Sequence, residues 1–271
     1  MNVETILQDF QKKVIKDNDI KEINGIKFCA KCNTPREVIF DINTGERHSC
    51  LCLCQAEERD RLINSFNAEK EINATEYRRK EQLPFEDLRN ARIEKSIDKE
   101  SKAYRVAVGF VKDFEEHGEK GVGILFYGET GSGKTFMEAA IGNALIDKGF
   151  NVLFANASEL ITLFDSGNGE KIAYEIKKIL NADLFILDDL GSERATDTAL
   201  SKMYQIVNSR YMTKKSMLVS TNLSIEQMKN TPNGNQQRMF SRIFEICYPV
   251  KMEGNKRKDN AQNNFEKFKN Y

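Results

Sequence analysis

Eight residues constrain this chain more than any others: Gly128-Glu129-Thr130-Gly131-Ser132-Gly133-Lys134-Thr135. They fit G-x-x-x-x-G-K-[ST], a phosphate-binding loop. The glycines let successive backbone N–H groups turn inward toward an anion. Lys134 brings a mobile positive charge for the β- and γ-phosphates, and the Thr135 hydroxyl is suited to Mg²⁺. Residues 122–127 before the loop are short and apolar, as in a buried strand. Residues 135–148 after it place Phe136, Ala139, Ala140, Ala144 and Leu145 on one helical face, closed by Gly149. A loop between such a strand and such a helix sits at a helix N-terminus, where free N–H groups and the dipole favour phosphate. The predicted fold is α/β, built on a central parallel sheet.

A chain of 271 residues suggests about two domains. Acidic and basic residues balance at 41 each, so bulk charge does not mark a nucleic-acid binder and any such contact must be local. No apolar run approaches the ~20 residues of a membrane span. The N-terminus lacks a signal-peptide pattern, which points to the cytoplasm. Thiols stay reduced there, so clustered cysteines suggest a metal before a disulfide.

Five of the six cysteines fall between residues 29 and 54. Cys29 and Cys32 have C-x2-C spacing, and Cys50, Cys52 and Cys54 follow beyond a hairpin tip expected at Asn43-Thr44-Gly45. Two close pairs of soft ligands can surround a structural Zn²⁺ tetrahedrally. The preferred set is Cys29, Cys32, Cys52 and Cys54, with Cys50 and His48 competing for places. A metal here stabilises a front domain too small for a strong core of its own. Before it, Ile6, Leu7, Phe10, Val14 and Ile15 recur at helical spacing.

The expected organisation is a zinc-binding front over 1–60, a charged helical linker over 61–84 and a nucleotide-binding body over 85–257. A tail over 258–271 follows. The basic knot Arg78-Arg79-Lys80 reads as a solvated face, and one helix is expected over 96–116. Ser158 is the expected cap of the helix after a strand at 152–155. Leu184-Phe185-Ile186-Leu187-Asp188-Asp189 is an apolar strand ending in acids, the Walker B pattern. Asp188 would hold Mg²⁺ and Asp189 would polarise the attacking water. The strand at 217–220 ends in Thr221-Asn222, which places Asn222 between the phosphate loop and the acids as a γ-phosphate sensor. Arg242 is either a surface ion pair or an arginine finger reaching a neighbour's nucleotide. Cys247 reads as a core thiol.

Taken together, Gly128–Thr135, residues 187–193 (Leu-Asp-Asp-Leu-Gly-Ser-Glu), Asn208-Ser209-Arg210-Tyr211 and Ser220-Thr221-Asn222-Leu223-Ser224 resemble the DnaC/DnaI helicase loaders. That branch of the AAA+ ATPases is close to DnaA and IstB. The resemblance spans roughly residues 85–257. It implies an AAA+ P-loop ATPase that binds a hexameric replicative helicase through its front. It also implies self-association through the ATPase body and contact with single-stranded DNA. Carried onto this chain, Lys134 and Thr135 are the Walker A pair, Asp188 and Asp189 the Walker B pair, and Asn222 is sensor 1. Arg242 falls at the arginine finger and Arg257 in the sensor 2 region. The implied cofactors are ATP, Mg²⁺ and Zn²⁺. Asp189 stands where many relatives carry Glu, which implies slow hydrolysis, with Glu193 one turn on as an assistant. Lys171, Lys177 and Lys178 are basic candidates for DNA contact. The rival readings are an IstB-like transposition helper and a nucleotide-binding adaptor with little hydrolysis.

Overall fold

The computed structural model describes residues 4, 5, 7, 8, 10, 19–96, 98–191 and 195–254. The chain forms two compact units, Met1–Ala74 and Thr75–Tyr271. Of the expected N-terminal helix, Glu4, Thr5, Leu7, Gln8 and Phe10 are helical, and Phe10 is buried. Ile6, Val14 and Ile15 lie outside the described residues, as do Glu193 and Arg257.

The first unit is built from two antiparallel hairpins. β1 (Ile20–Ile23) pairs with β2 (Ile26–Cys29), turning at Asn24 and Gly25, which both take positive φ. β3 (Glu37–Asp41) pairs with β4 (Glu46–Ser49). The tip between them is the Asn43-Thr44-Gly45 segment, where the Asp41 carboxylate accepts from Asn43 N at 2.8 Å. A 30-residue helix, Leu53–Gln82, follows. Its faces are mostly charged and exposed, as its composition requires. Gln55 and Arg79 are buried, and Arg79 corrects an expectation. It is buried and paired with Glu76 and Asp147, so it does not belong to a solvated basic knot.

In the second unit the expected helix over 96–116 is two helices. Lys102–Lys112 begins after Ser101, whose hydroxyl accepts from Tyr104 N, and the chain breaks at Asp113 before Phe114–Lys120. Gly118 lies inside that second helix, and left-handed Gly121 ends it.

Five parallel strands then form one sheet: β5 (Gly123–Tyr127), β6 (Val152–Asn156), β7 (Leu184–Asp188), β8 (Ser216–Thr221) and β9 (Cys247–Lys251). Their order is β6-β7-β8-β5-β9. The strands are apolar on both faces because helices cover both. Leu125 packs with Phe185, Leu187 and Phe240 on one side, while its neighbours Ile124 and Phe126 pack with Ile141 and Leu145 on the other. This is the two-residue period of a pleated strand. β9 has no counterpart among the expected strands, and it carries Pro249. It survives as an edge strand, where a missing ladder donor is tolerated. Cys247, at its start, is buried as expected.

β6 leads into the helix Ala157–Asp165. The cap there is Asn156, which accepts from Ser158 N at 3.0 Å, and not Ser158 itself. The remaining long helices are Lys134–Asp147, Gly169–Asn181, Asp197–Met212 and Gly234–Ile246. Among the described residues, no helix is long and apolar enough to cross a membrane.

The strand order positions the site. β8 lies between β5, which carries the phosphate loop, and β7, which carries the acids. The chain reverses its direction of winding at β5, and ligands bind outside the carboxyl ends of the strands at such a switch point.

Candidate functional site

The loop after β5 must bend sharply to meet its helix. Gly128 has a φ of 145°, and a Cβ there would lie 2.2 Å from the Met252 carbonyl oxygen, so only glycine fits. Gly133, also left-handed, starts the helix Lys134–Asp147, and among the described residues no side chain caps that N-terminus. Its N–H groups therefore remain available to an anion. They open into a cavity of about 590 Å³, ample for a nucleotide. Thr130, Gly131, Gly133, Lys134 and Thr135 line it on one side, and Asn156, Asp188, Asp189 and Asn222 on another. Lys95, Ser96, Phe136, Met137 and Met252 complete the wall, and none of these five was expected from the sequence as a site residue.

The polar side chains form one connected network. Lys134 Nζ donates to the carbonyls of Gly128 and Glu129, each at 2.9 Å, and to Asn222 Oδ1 at 2.7 Å. Asn222 Nδ2 donates to Asp189 Oδ1 at 2.7 Å. Thr135 Oγ1 donates to Asp188 Oδ1 at 2.9 Å. Ser220 Oγ donates to the same carboxylate oxygen at 2.7 Å and accepts from Asp189 N at 2.9 Å. The Asp189 backbone is left-handed at φ 55°, which swings its side chain away from the strand and onto Asn222.

Ser220 and Glu138 were not assigned roles in the sequence reading. Glu138 follows Lys134 by four residues and Thr135 by three, so helical spacing places it on the same face. Its carboxyl is fully buried, and among the described residues neither oxygen has a hydrogen bond of ordinary geometry. Burial, then the charge of nearby Asp188, pushes its pKa well above the carboxylate range. The site thus carries a buried acid beneath the Thr135–Asp188 pair. The Thr135 hydroxyl and Asp188 carboxylate converge on one point, which fits the hard oxygen ligands that Mg²⁺ takes beside a bound triphosphate.

Arg242 does not join this cavity. On the helix Gly234–Ile246, its Nη1 donates to both Glu245 oxygens, at 2.9 and 3.2 Å, and its guanidinium lies 4.4 Å from the Tyr211 ring centroid. Lys171, Lys177 and Lys178 are exposed on the helix Gly169–Asn181, beside Tyr174, which is 64% exposed.

In the first unit the sulfurs of Cys29, Cys32, Cys52 and Cys54 all lie within 4.8 Å of one another. Cys29 ends β2, and the turn after Cys32 is closed by left-handed Asn33. Cys52 immediately precedes the helix Leu53–Gln82, and Cys54 lies in its first turn. Sγ separations are 3.6 Å for Cys29–Cys54 and 3.3 Å for Cys52–Cys54. A tetrahedral Zn²⁺ with ~2.3 Å bonds spaces its sulfurs ~3.8 Å apart, so the donor set fits that ion. Four clustered thiols cannot all ionise without a cation. Cys54 is pushed up to about 12, first by hydrogen bonding with Cys52 and then by burial. His48 and Cys50 are engaged elsewhere: the His48 ring lies tilted against Phe40 at 4.9 Å and faces Glu46, and Cys50 reaches the Pro35 carbonyl.

Similarity to known proteins agrees with this geometry. The chain is 32% identical over 122 residues to an insertion-sequence ATP-binding protein, y4iQ/y4nD/y4sD, of Sinorhizobium fredii; the match covers 45% of this chain and 38% of that one. It is 27% identical over 160 residues to the replicative helicase loader DnaI of Bacillus subtilis, covering 55% of this chain and 51% of DnaI. The chain therefore spans only about two-fifths to half the length of these curated relatives. The crystal structure of the DnaC helicase loader superposes with a TM-score of 0.52 at 27% identity. That match covers 62% of this chain and all of the other. The fold is that of the AAA+ P-loop ATPases. The family description "IstB-like ATP binding protein" matches residues 67–263, most of the chain, and with its phosphate loop, acids and sheet order in place the protein belongs to that family.

Proposed function

We propose that this protein is an ATP-dependent loader that binds a replicative DNA helicase and helps place it on single-stranded DNA. The observation that carries the reading is the Lys134–Asn222–Asp189 chain across β5, β8 and β7. It links the group that holds the γ-phosphate to the acid that would orient water. Similarity to DnaI and DnaC supplies the partner class. Bound Mg²⁺ would offset phosphate charge, held by Thr135 and Asp188. Lys134 exchanges its carbonyl partners for phosphate oxygens when ATP enters. Asn222 then reports the γ-phosphate to Asp189, which orients the attacking water. Hydrolysis is slow because Asp189 is one methylene shorter than a glutamate. Arg242 acts on the nucleotide of a neighbouring copy, consistent with its place outside its own cavity.

The front, about 1–60, carries Zn²⁺ on Cys29, Cys32, Cys52 and Cys54 and binds the helicase. Residues 61–84 link it to the ATPase body at 85–257. Lys171, Lys177 and Lys178, with Tyr174 as a stacking platform, contact the DNA backbone without sequence readout. The protein works in the cytoplasm.

The test is a pull-down of the full chain with its host's replicative helicase, under zinc- and ATP-replete conditions. A stable complex that Cys52→Ser weakens supports the loader. An intact, ATP-binding chain that fails to capture helicase points to the second reading, a transposition helper. The family match and the 32% identity to an insertion-sequence protein favour that alternative. ATP turnover with and without single-stranded DNA separates both from a nucleotide-binding adaptor.

A further inference from the structure

Arg242 is held where it stands by two residues that no nucleotide contact requires. Glu245, three residues on along the same helix, takes the guanidinium through both carboxylate oxygens. Tyr211, from the helix Asp197–Met212, closes the other side with its ring. The Tyr211 hydroxyl lies beside Glu245, and that acceptor raises the phenol above its ordinary pKa. The guanidinium is therefore held by a carboxylate whose two oxygens share one terminal nitrogen and by an aromatic face across it, two contacts that restrict an arginine's orientation. It is still about one-third exposed, so its remaining N–H groups can reach outward.

We propose that Glu245 and Tyr211 are positioning residues that pre-orient Arg242 for the nucleotide of a neighbouring copy of the chain. The inference rests on the reading of Arg242 as a finger acting in trans. An unrestrained arginine loses rotamer freedom when it docks on a phosphate, and a finger already ordered in the free subunit does not. If Glu245 neutralised the finger and had to release it, removing the carboxylate would speed turnover.

Mixed full-length subunits test this. Lys134→Ala subunits lose nucleotide binding but still offer a finger, whereas Arg242→Ala subunits bind nucleotide but offer none. Mixing the two should restore ATP turnover above either alone. Glu245→Gln is then placed on one partner at a time. Positioning predicts that Glu245→Gln on the Lys134→Ala subunit cuts the recovered kcat about 3- to 10-fold at unchanged KM. On the Arg242→Ala subunit it has no effect, which a merely structural role would not produce. Tyr211→Leu should act with the same one-sidedness, and Tyr211→Phe, which keeps the ring, should largely preserve activity. Unchanged or raised turnover with Glu245→Gln on the finger-donating subunit overturns the positioning role. Failure of the parent mixture to complement overturns the trans finger itself, and with it this inference, so the two failures are distinguishable.

Discussion

Asn222 donates its side-chain N–H to Asp189 Oδ1 at 2.7 Å while its Oδ1 accepts from Lys134 Nζ at the same distance. The chemistry of the partners sets the amide's orientation: an ammonium can only donate and a carboxylate can only accept. Asn222→Ala breaks both bonds and should lower kcat roughly 100- to 1,000-fold, the scale of losing one preorganised hydrogen bond at a site of developing charge. Nucleotide affinity, set mainly by the loop backbone and Lys134, should change only a few-fold. Fluorescent-nucleotide binding alongside steady-state turnover measures both, and weakened binding with kcat unchanged would place Asn222 in binding alone.

The cysteine cluster should hold zinc in an equimolar ratio to the chain. Elemental analysis of metal-replete protein checks this. Cys52→Ser or chelation should unfold the first unit while leaving nucleotide binding by the second intact, because so small a unit depends on its metal. Cys50→Ser should retain zinc, since Cys50 faces the Pro35 carbonyl.

Arg210 is fully buried, and its guanidinium donates to four carbonyls: Ile179 at 2.6 Å, Ala182 at 3.0 Å, Asp183 at 3.3 Å and Ser216 at 2.5 Å. It ties the end of the helix Gly169–Asn181 to the starts of β7 and β8. Arg210→Ala takes the donor from these carbonyls, at a cost of about 1–3 kcal/mol for each one left buried and unpaired. Denaturant unfolding should show this as a lower midpoint, and Lys at 210 should recover only part of it because an ammonium cannot span four acceptors.

Glu138 makes stability depend on pH. Its folded-state pKa is raised, first by burial and then by Asp188, so the folded protein holds this proton more tightly than the unfolded chain does. Its favourable contribution is complete below the ordinary carboxyl pKa and is lost as pH rises toward the folded-state value. Glu138→Gln keeps the shape and cannot ionise. Thermal melts of the nucleotide-free protein should show the variant gaining on wild type from pH 5 to pH 8. A gap that does not widen with pH would mean that Glu138 is not the titrating group.

Much of the site was legible in the chain because its chemistry needs particular atoms at short range along it. Gly128–Thr135 had to be a phosphate loop, since few other uses exist for that glycine spacing between a buried strand and a helix. The clustering of the paired cysteines was legible for the same reason: two local pairs of thiols need only one hairpin to gather them within 4.8 Å. Other features depend on chain segments far apart in sequence. Ser220 meets Asp188 across 32 residues and Glu138 lies beneath that same acid, and only the sheet order brings them together. Helical spacing could suggest Glu138's face but not its burial. β9 carries Pro249, a poor strand residue everywhere except an edge, and edges exist only once the sheet is assembled. The choice among Cys50, His48 and their neighbours, and the cage that Tyr211 and Glu245 build around Arg242, were likewise decided by packing. Local sequence determines which chemistry a segment can offer; tertiary structure decides which groups share a space small enough to use it.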